Sequence, residues 1–269
     1  MKKINCIYCC GLLAFFFLIA AGCQKVIDVH IEHTSKKYVI EGTVADSPDS
    51  YSVIVSQTLD VSDLNIFKGV EDAVVSIAEE GRPPVVLQHK GNGLYRANAS
   101  GTPGKTYYLS VRIGNEVFTS TSVMPPKVTF DSLYTTSRMF VGRKQLIPTV
   151  EFKDPPAIGN AYRFTQFVDG EKENTIFVTN DKLINGRNVV YELLIFSSDD
   201  SADLKQGDNL RVEMRCINTE NYDFWYSLTQ NALGQSQTAS PGNPVSNIRG
   251  GALGYFSANT FDKKEIYVK

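Results

Sequence analysis

Tyr107-Tyr108-Leu109-Ser110-Val111-Arg112-Ile113-Gly114-Asn115-Glu116-Val117-Phe118-Thr119-Ser120-Thr121-Ser122 carries the clearest structural signal in the chain. Tyr107, Leu109, Val111 and Ile113 fall on one side of an extended backbone, and Tyr108, Ser110 and Arg112 on the other. That period of two is the pattern of a half-buried strand. Gly114-Asn115 between two such runs predicts a tight hairpin, because both residues tolerate positive φ. Upstream, Tyr38–Val44, Ser52–Gln57, Ala73–Ala78, Val85–Gln88 and Leu94–Ala97 repeat the alternation, with Gly91-Asn92-Gly93 as a further turn. Seven short strands punctuated in this way predict an immunoglobulin-like β-sandwich over residues 38–125. The Cys pair of antibody domains is missing, so the likeness is one of architecture.

Downstream, Pro125-Pro126 removes two backbone donors and enforces an extended path, which marks a domain boundary. Residues 126–269 read as a second β-rich domain, sandwich or barrel-like, with one α-helix. Its strands are Val128–Tyr134, Leu146–Phe152, Tyr162–Val168, Thr175–Asn180, Val189–Ser197, Leu210–Ile217, Gly250–Ser257 and Glu265–Lys269, and Asn185-Gly186 predicts a hairpin turn. Tyr222, Trp225, Leu228 and Ala232 recur at helical spacing, which places the helix near 221–233, with Gly234 at its C-cap. Gly250, Gly251 and Gly254 beside Tyr255-Phe256 suit a strand that another backbone or an aromatic ring approaches closely.

The N-terminus fixes the expected compartment. Lys2 and Lys3 precede an apolar run from Gly11 to Ala21, the form of an export signal, and the run is too short to span a bilayer. Ala20-Ala21-Gly22-Cys23 resembles a bacterial lipobox, with Ala20 where Leu is more usual. Residues 1–22 are then a signal peptide, Cys23 is acylated, and residues 23–37 form a tether. Several acyl chains hold a folded body durably on a membrane, since each buried methylene adds about 0.8 kcal/mol. Cys6, Cys9 and Cys10 leave with the signal, so Cys216 is the one free thiol expected in the mature chain. Its alternation with Arg211, Glu213 and Arg215 puts it on the apolar face of a strand, a buried structural thiol rather than a reactive one. Near-neutral charge, with 27 Lys+Arg against 29 Asp+Glu, argues against a nucleic-acid partner.

No catalytic signature emerges. Gly101-Thr102-Pro103-Gly104-Lys105-Thr106 imitates a phosphate loop, but Ala99 stands where the first glycine is required, and a strand follows instead of a helix. His30 and His33 lie in the tether with no ligating neighbours, so no metal is expected. Asp199, Asp200, Asp203 and Asp208 lack the alternating pattern of a calcium loop and read as an acidic turn. No cofactor is implied. The chain reads as a non-enzyme.

Four stretches occur in a characteristic order: Cys23 with Lys25-Val26-Ile27-Asp28 and Tyr38-Val39-Ile40-Glu41-Gly42; Gly93-Leu94-Tyr95 with Gly104-Lys105-Thr106-Tyr107-Tyr108-Leu109; Phe152-Lys153-Asp154-Pro155 with Asn160-Ala161-Tyr162-Arg163-Phe164; and Ser246-Asn247-Ile248-Arg249-Gly250-Gly251-Ala252-Leu253-Gly254-Tyr255-Phe256. Together they resemble the domain-of-unknown-function 4249 family of bacterial lipoproteins. The resemblance implies a cell-envelope lipoprotein, often encoded beside a TonB-dependent outer-membrane transporter, and brings no functional residues with it. The leading expectation is therefore a non-catalytic lipoprotein held in the outer membrane through lipid on Cys23, accessory to such a transporter in nutrient uptake or envelope organisation. The alternative is a surface protein that binds glycan or peptide through exposed aromatics. Tyr222, Trp225, Tyr226, Tyr255 and Phe256 are the candidate partner or ligand contacts.

Overall fold

The computed structural model describes residues 36–59, 66–140, 142–195, 203–232 and 242–269; the expected signal peptide, Cys23, His30, His33, Asp199, Asp200 and Gly234 lie outside them. The described strands are β1 (Tyr38–Ala45), β2 (Tyr51–Gln57), β3 (Val74–Glu79), β4 (Val85–Val86), β5 (Gln88–His89), β6 (Leu94–Ala97), β7 (Thr106–Ile113), β8 (Glu116–Val123), β9 (Phe130–Phe140), β10 (Arg143–Lys153), β11 (Ala161–Val168), β12 (Glu171–Lys172), β13 (Phe177–Asn180), β14 (Asn188–Glu192), β15 (Asn209–Ile217) and β16 (Leu253–Tyr267). Among the described residues one α-helix, α1, spans Thr219–Ala232.

The expected hairpin forms as β7 and β8, with Ile113 paired to Glu116 and Gly114 at φ +56°. It belongs to a four-stranded sheet of order β4-β3-β7-β8. Val75, Ile77, Leu109, Val111 and Phe118 from that sheet share one core with Ile40, Val53, Val55 and Tyr95 from β1, β2 and β6. The run Val85–Gln88 is divided between the two layers. Val85-Val86 pair with β3 and Gln88-His89 with β6, and Leu87 is buried at the step.

Beyond the prolines, β14-β10-β9 form a three-stranded sheet. Its Val150, Phe152 and Val189 pack on Tyr162, Phe164, Val212 and Met214 of β11 and β15 in a second core. All of this is organised by a nine-stranded sheet of order β12-β11-β15-β16-β1-β2-β6-β5, with β13 also on β11. The boundary expected at Pro125-Pro126 falls between β8 and β9, and this sheet draws strands from both sides of it. The protein is mainly β, in several sheets, and no sheet closes into a barrel among the described residues.

Sequence alone divides β16 into two pieces, yet it is one strand of 15 residues that changes partner. Its first half runs parallel to β1, from Val39↔Leu253 to Ala45↔Asn259, and its second half antiparallel to β15. Where β15 no longer reaches, side chains replace the missing ladder. Asn247 accepts the Phe256 N–H (2.8 Å) and donates to its carbonyl (2.8 Å), Asn221 donates to the same carbonyl (3.0 Å), and Ser122 accepts the Ala258 N–H (2.9 Å). Buried backbone groups need such partners. Gly254, at φ +100°, lets β1 approach: a Cβ there would lie 2.1 Å from the Ile40 carbonyl oxygen.

The turn expected at Asn185-Gly186 joins no hairpin. β13 pairs with β11 and β14 with β10, so the segment carries the chain from one sheet to another. Two buried carboxylates fasten the crossing. Asp154 accepts the Tyr162 hydroxyl and the Gly186 N–H (3.0 Å), and Asp181 accepts the N–H groups of Gly159 (2.6 Å) and Asn160 (2.8 Å).

Candidate functional site

Asn218 starts α1 as its cap, its side-chain oxygen accepting the Asn221 N–H (3.1 Å). The helix then packs on β11, β13 and β16. Phe224 and Trp225 are buried against Tyr255, with ring centroids 4.8 Å and 4.9 Å from it, together with Ala161 and Ile217. Tyr222, half-buried, packs against the edge of this dock and stacks on Tyr226 (5.6 Å), which is exposed. Phe256 points to the opposite side of the sheet and is fully enclosed in the first core, so its ring meets only the protein's own side chains. Of the five aromatic candidates, the structure therefore brings Trp225 and Tyr255 together.

Beside that dock the same sheet face turns polar. Along β15, Leu210, Val212, Met214 and Cys216 enter the second core while Arg211, Glu213 and Arg215 remain on the face. Along β11, Tyr162 and Phe164 go inward, and Arg163 shares the face with Thr165 and Phe167. A concavity of ≈ 190 Å³ opens there, whose lining includes Arg163, Arg215, Lys172 and Glu213, the rings of Trp225 and Tyr255, and the hydroxyls of Thr43, Thr165 and Ser257.

The charges in this concavity are unequally matched. Glu213 pairs with Arg211 (2.5 Å) and Arg215 (3.2 Å), and Arg215 also donates to Asn259 (2.9 Å). Arg163 lies over the Trp225 ring at 3.6 Å, a cation–π contact. Burial lowers its pKa, opposed by Tyr255, and the neighbouring Arg215 lowers it further. Burial raises the Tyr255 phenol, against the pull of Arg163. It also raises the Glu41 carboxyl, despite Lys172 and Arg163 nearby. Sequence reasoning missed Arg163 and Arg215. The alternation of Arg211, Glu213 and Arg215 was visible, but it reads as an ordinary solvated face until the ladder sets Arg163 opposite Arg215.

A second surface stands out on the four-stranded sheet. Its outer face presents the rows Val86-Ser76-Ser110-Thr119, Val74-Arg112-Val117 and Ala78-Tyr108-Thr121, ending in Thr106-Val123. Val74, Val86, Tyr108, Val117 and Val123 are exposed, and Arg112 is the one charged side chain in these rows. Contiguous weakly polar surface of this kind is a mark of interaction sites.

The remaining candidates are structural. Cys216 is buried and free of any disulfide, and burial raises its thiol pKa. Asp208 accepts the Lys205 N–H (2.7 Å) and Asp203 the side-chain amide of Gln145 (2.8 Å), so both fasten loops. Among the described residues no group of acids, His or Cys could hold a metal ion, and no helix is long and apolar enough to cross a membrane.

No curated protein matches the chain. A family model described as "Domain of unknown function (DUF4249)" matches residues 24–265, nearly the whole length. The four ordered stretches fall within or next to that span, and Tyr38–Gly42 of the first and Leu253–Phe256 of the last lie in the paired strands β1 and β16; the chain belongs to the DUF4249 family.

Proposed function

We propose that this is a lipid-anchored accessory protein of the bacterial outer membrane that acts by binding another envelope protein rather than by catalysis, a TonB-dependent transporter being the expected partner. The export signal and Cys23 support the anchor. The observation that carries the binding role is the outer face of β4-β3-β7-β8, whose Val, Thr, Ser and Tyr side chains form one surface with charges at Arg112 and, at the edge beyond Thr119, at Arg249. Burying such a face incurs little desolvation cost, since few charges must be stripped of water.

The test uses envelopes solubilised in detergent. A photo-crosslinking residue replacing Tyr108 is expected to capture one outer-membrane barrel protein at near-stoichiometric yield, while the same residue replacing Tyr267, exposed on β16, captures none. Equal capture from both positions, or none from Tyr108, overturns the docking role. A mature chain whose first residue is an unmodified Cys23 overturns the anchor.

A further inference from the structure

Arg163 of β11 stands directly across the ladder from Arg215 of β15. Like charges in facing positions of an antiparallel pair oppose the pairing. The protein resolves this for one partner only. Arg215 is met by Glu213 and Asn259, and the other oxygen of Glu213 is taken by Arg211. The guanidinium of Arg163 makes no ion pair or hydrogen bond among the described residues, and its Nε is buried without a partner. The Trp225 ring beneath it orients the plane but accepts none of its N–H bonds. Lys172, in the same lining, has no ion pair among the described residues either. Glu213, in the same lining, and Glu41 act on Arg163 only across space, as Glu41 does on Lys172.

A guanidinium with a buried, unpartnered Nε–H calls for an anion, and a planar carboxylate matches it in shape as well as charge. The rest of the lining narrows the ligand. Thr43 and Thr165 offer hydroxyls that no side-chain hydrogen bond occupies, and Ser257 stands with them. Such groups suit a ligand that carries its own hydroxyls. The space, ≈ 190 Å³, is smaller than the pockets that enclose drug-sized molecules, and so fits one ring rather than a chain of them.

We propose that the concavity beside α1 binds a single sugar-acid unit, with its carboxylate on Arg163 and its hydroxyls toward Thr43 and Thr165. This site is on a different sheet from the proposed docking face, and its failure would leave that reading untouched.

The molecule carries its own probe, because Trp225 is the single Trp of the chain and lies under Arg163. The experiment titrates the full-length protein in detergent with glucuronate, glucose and acetate, following Trp fluorescence and, in parallel, heat of binding. Glucuronate is expected to give a saturable change below about 50 mM, with glucose and acetate each at least about tenfold weaker, since each lacks one half of the recognition. Arg163→Gln is expected to lose the glucuronate response while melting close to the parent without ligand, because the Trp225 cation–π contact it loses is offset by relief of the like charge at Arg215. Glucose equal to glucuronate overturns the carboxylate role, acetate equal to glucuronate overturns the sugar, and an unchanged Arg163→Gln titration overturns the site. Should that variant fail to fold, the three ligands on the unaltered protein decide the matter, and absence of any saturable response to glucuronate refutes the proposal.

Discussion

Phe256 sets its ring against the bare Cα of Gly42, at a spot where a methyl group would lie 2.8 Å from the ring. The two residues are also ladder partners in the parallel pair β1–β16. Two ladder positions away, Gly254 returns the favour by leaving room for the Ile40 carbonyl. Glycines at both positions are therefore part of how the first and last strands meet, and the consequences can be measured.

Gly254→Ala places a methyl 2.1 Å from a backbone oxygen at φ +100°. We expect a loss of about 4 kcal/mol or more, the range that marks a broken structural requirement. Gly81→Ala is the control. It shares a positive φ (+78°) but faces open space, so only backbone strain of about 1–2 kcal/mol is expected. Urea unfolding of the two variants separates the clash from the dihedral. Similar losses would show that close approach to Ile40 is unimportant.

Asp154→Ala removes the acceptor for the buried Tyr162 hydroxyl and the Gly186 N–H. With two donors stranded, the expected cost is about 3 kcal/mol, against about 2 kcal/mol for Tyr162→Phe, which strands one acceptor, the Asp154 Oδ1. Chemical denaturation reads both, and a milder effect for the aspartate than for the tyrosine would contradict this account of the crossing.

Glu41 gives a pH dependence of definite sign. Burial holds its folded pKa above the ordinary 4.5, so the carboxyl gains a proton on folding when the pH lies between the two values. Its contribution to stability therefore falls as pH rises from 4.5 through the raised value, and stays low beyond it. Glu41→Gln is expected to be more stable than the parent at pH 7, with the gap closing toward pH 4. A gap of constant size across that range, in a series of denaturant melts, would assign the effect to shape rather than charge.

Cys216 is buried at 4% exposure with its thiol pKa raised by burial, and so should resist alkylation. Mature protein isolated from envelopes is expected to take up no iodoacetamide at pH 8 when folded and one equivalent in denaturant. One equivalent in the folded state would indicate either a bare Cys23 or an accessible Cys216, and peptide mapping tells them apart.

How much of this was legible beforehand depended on range. Alternation from Leu210 to Cys216 correctly predicts which side chains enter the core, because the pleat is a local property. The helix was legible from Tyr222, Trp225 and Leu228 for the same reason. The opposition of Arg163 and Arg215 was not, since it depends on the register between two strands about fifty residues apart. Nor was the continuity of β16. Asn259, Thr260 and Phe261 sit where the strand changes partners, and polar residues buried by that exchange look like a loop in sequence. Asn185-Gly186 misled for a related reason: its turn chemistry is real, with Gly186 at φ +69°, but the strands on either side find different partners.

The parallel pairing of β1 with β16 also imposes an order of events. Asp46 receives the Phe261 N–H from a point 215 positions further along the chain, so the central sheet cannot be completed until its last strand has been made and delivered. Until then β1 waits with an open edge, and contacts this distant in sequence form slowly. The arrival of the C-terminal strand is therefore the step that closes this edge, and the interval before it is when the polypeptide is most open to misassociation.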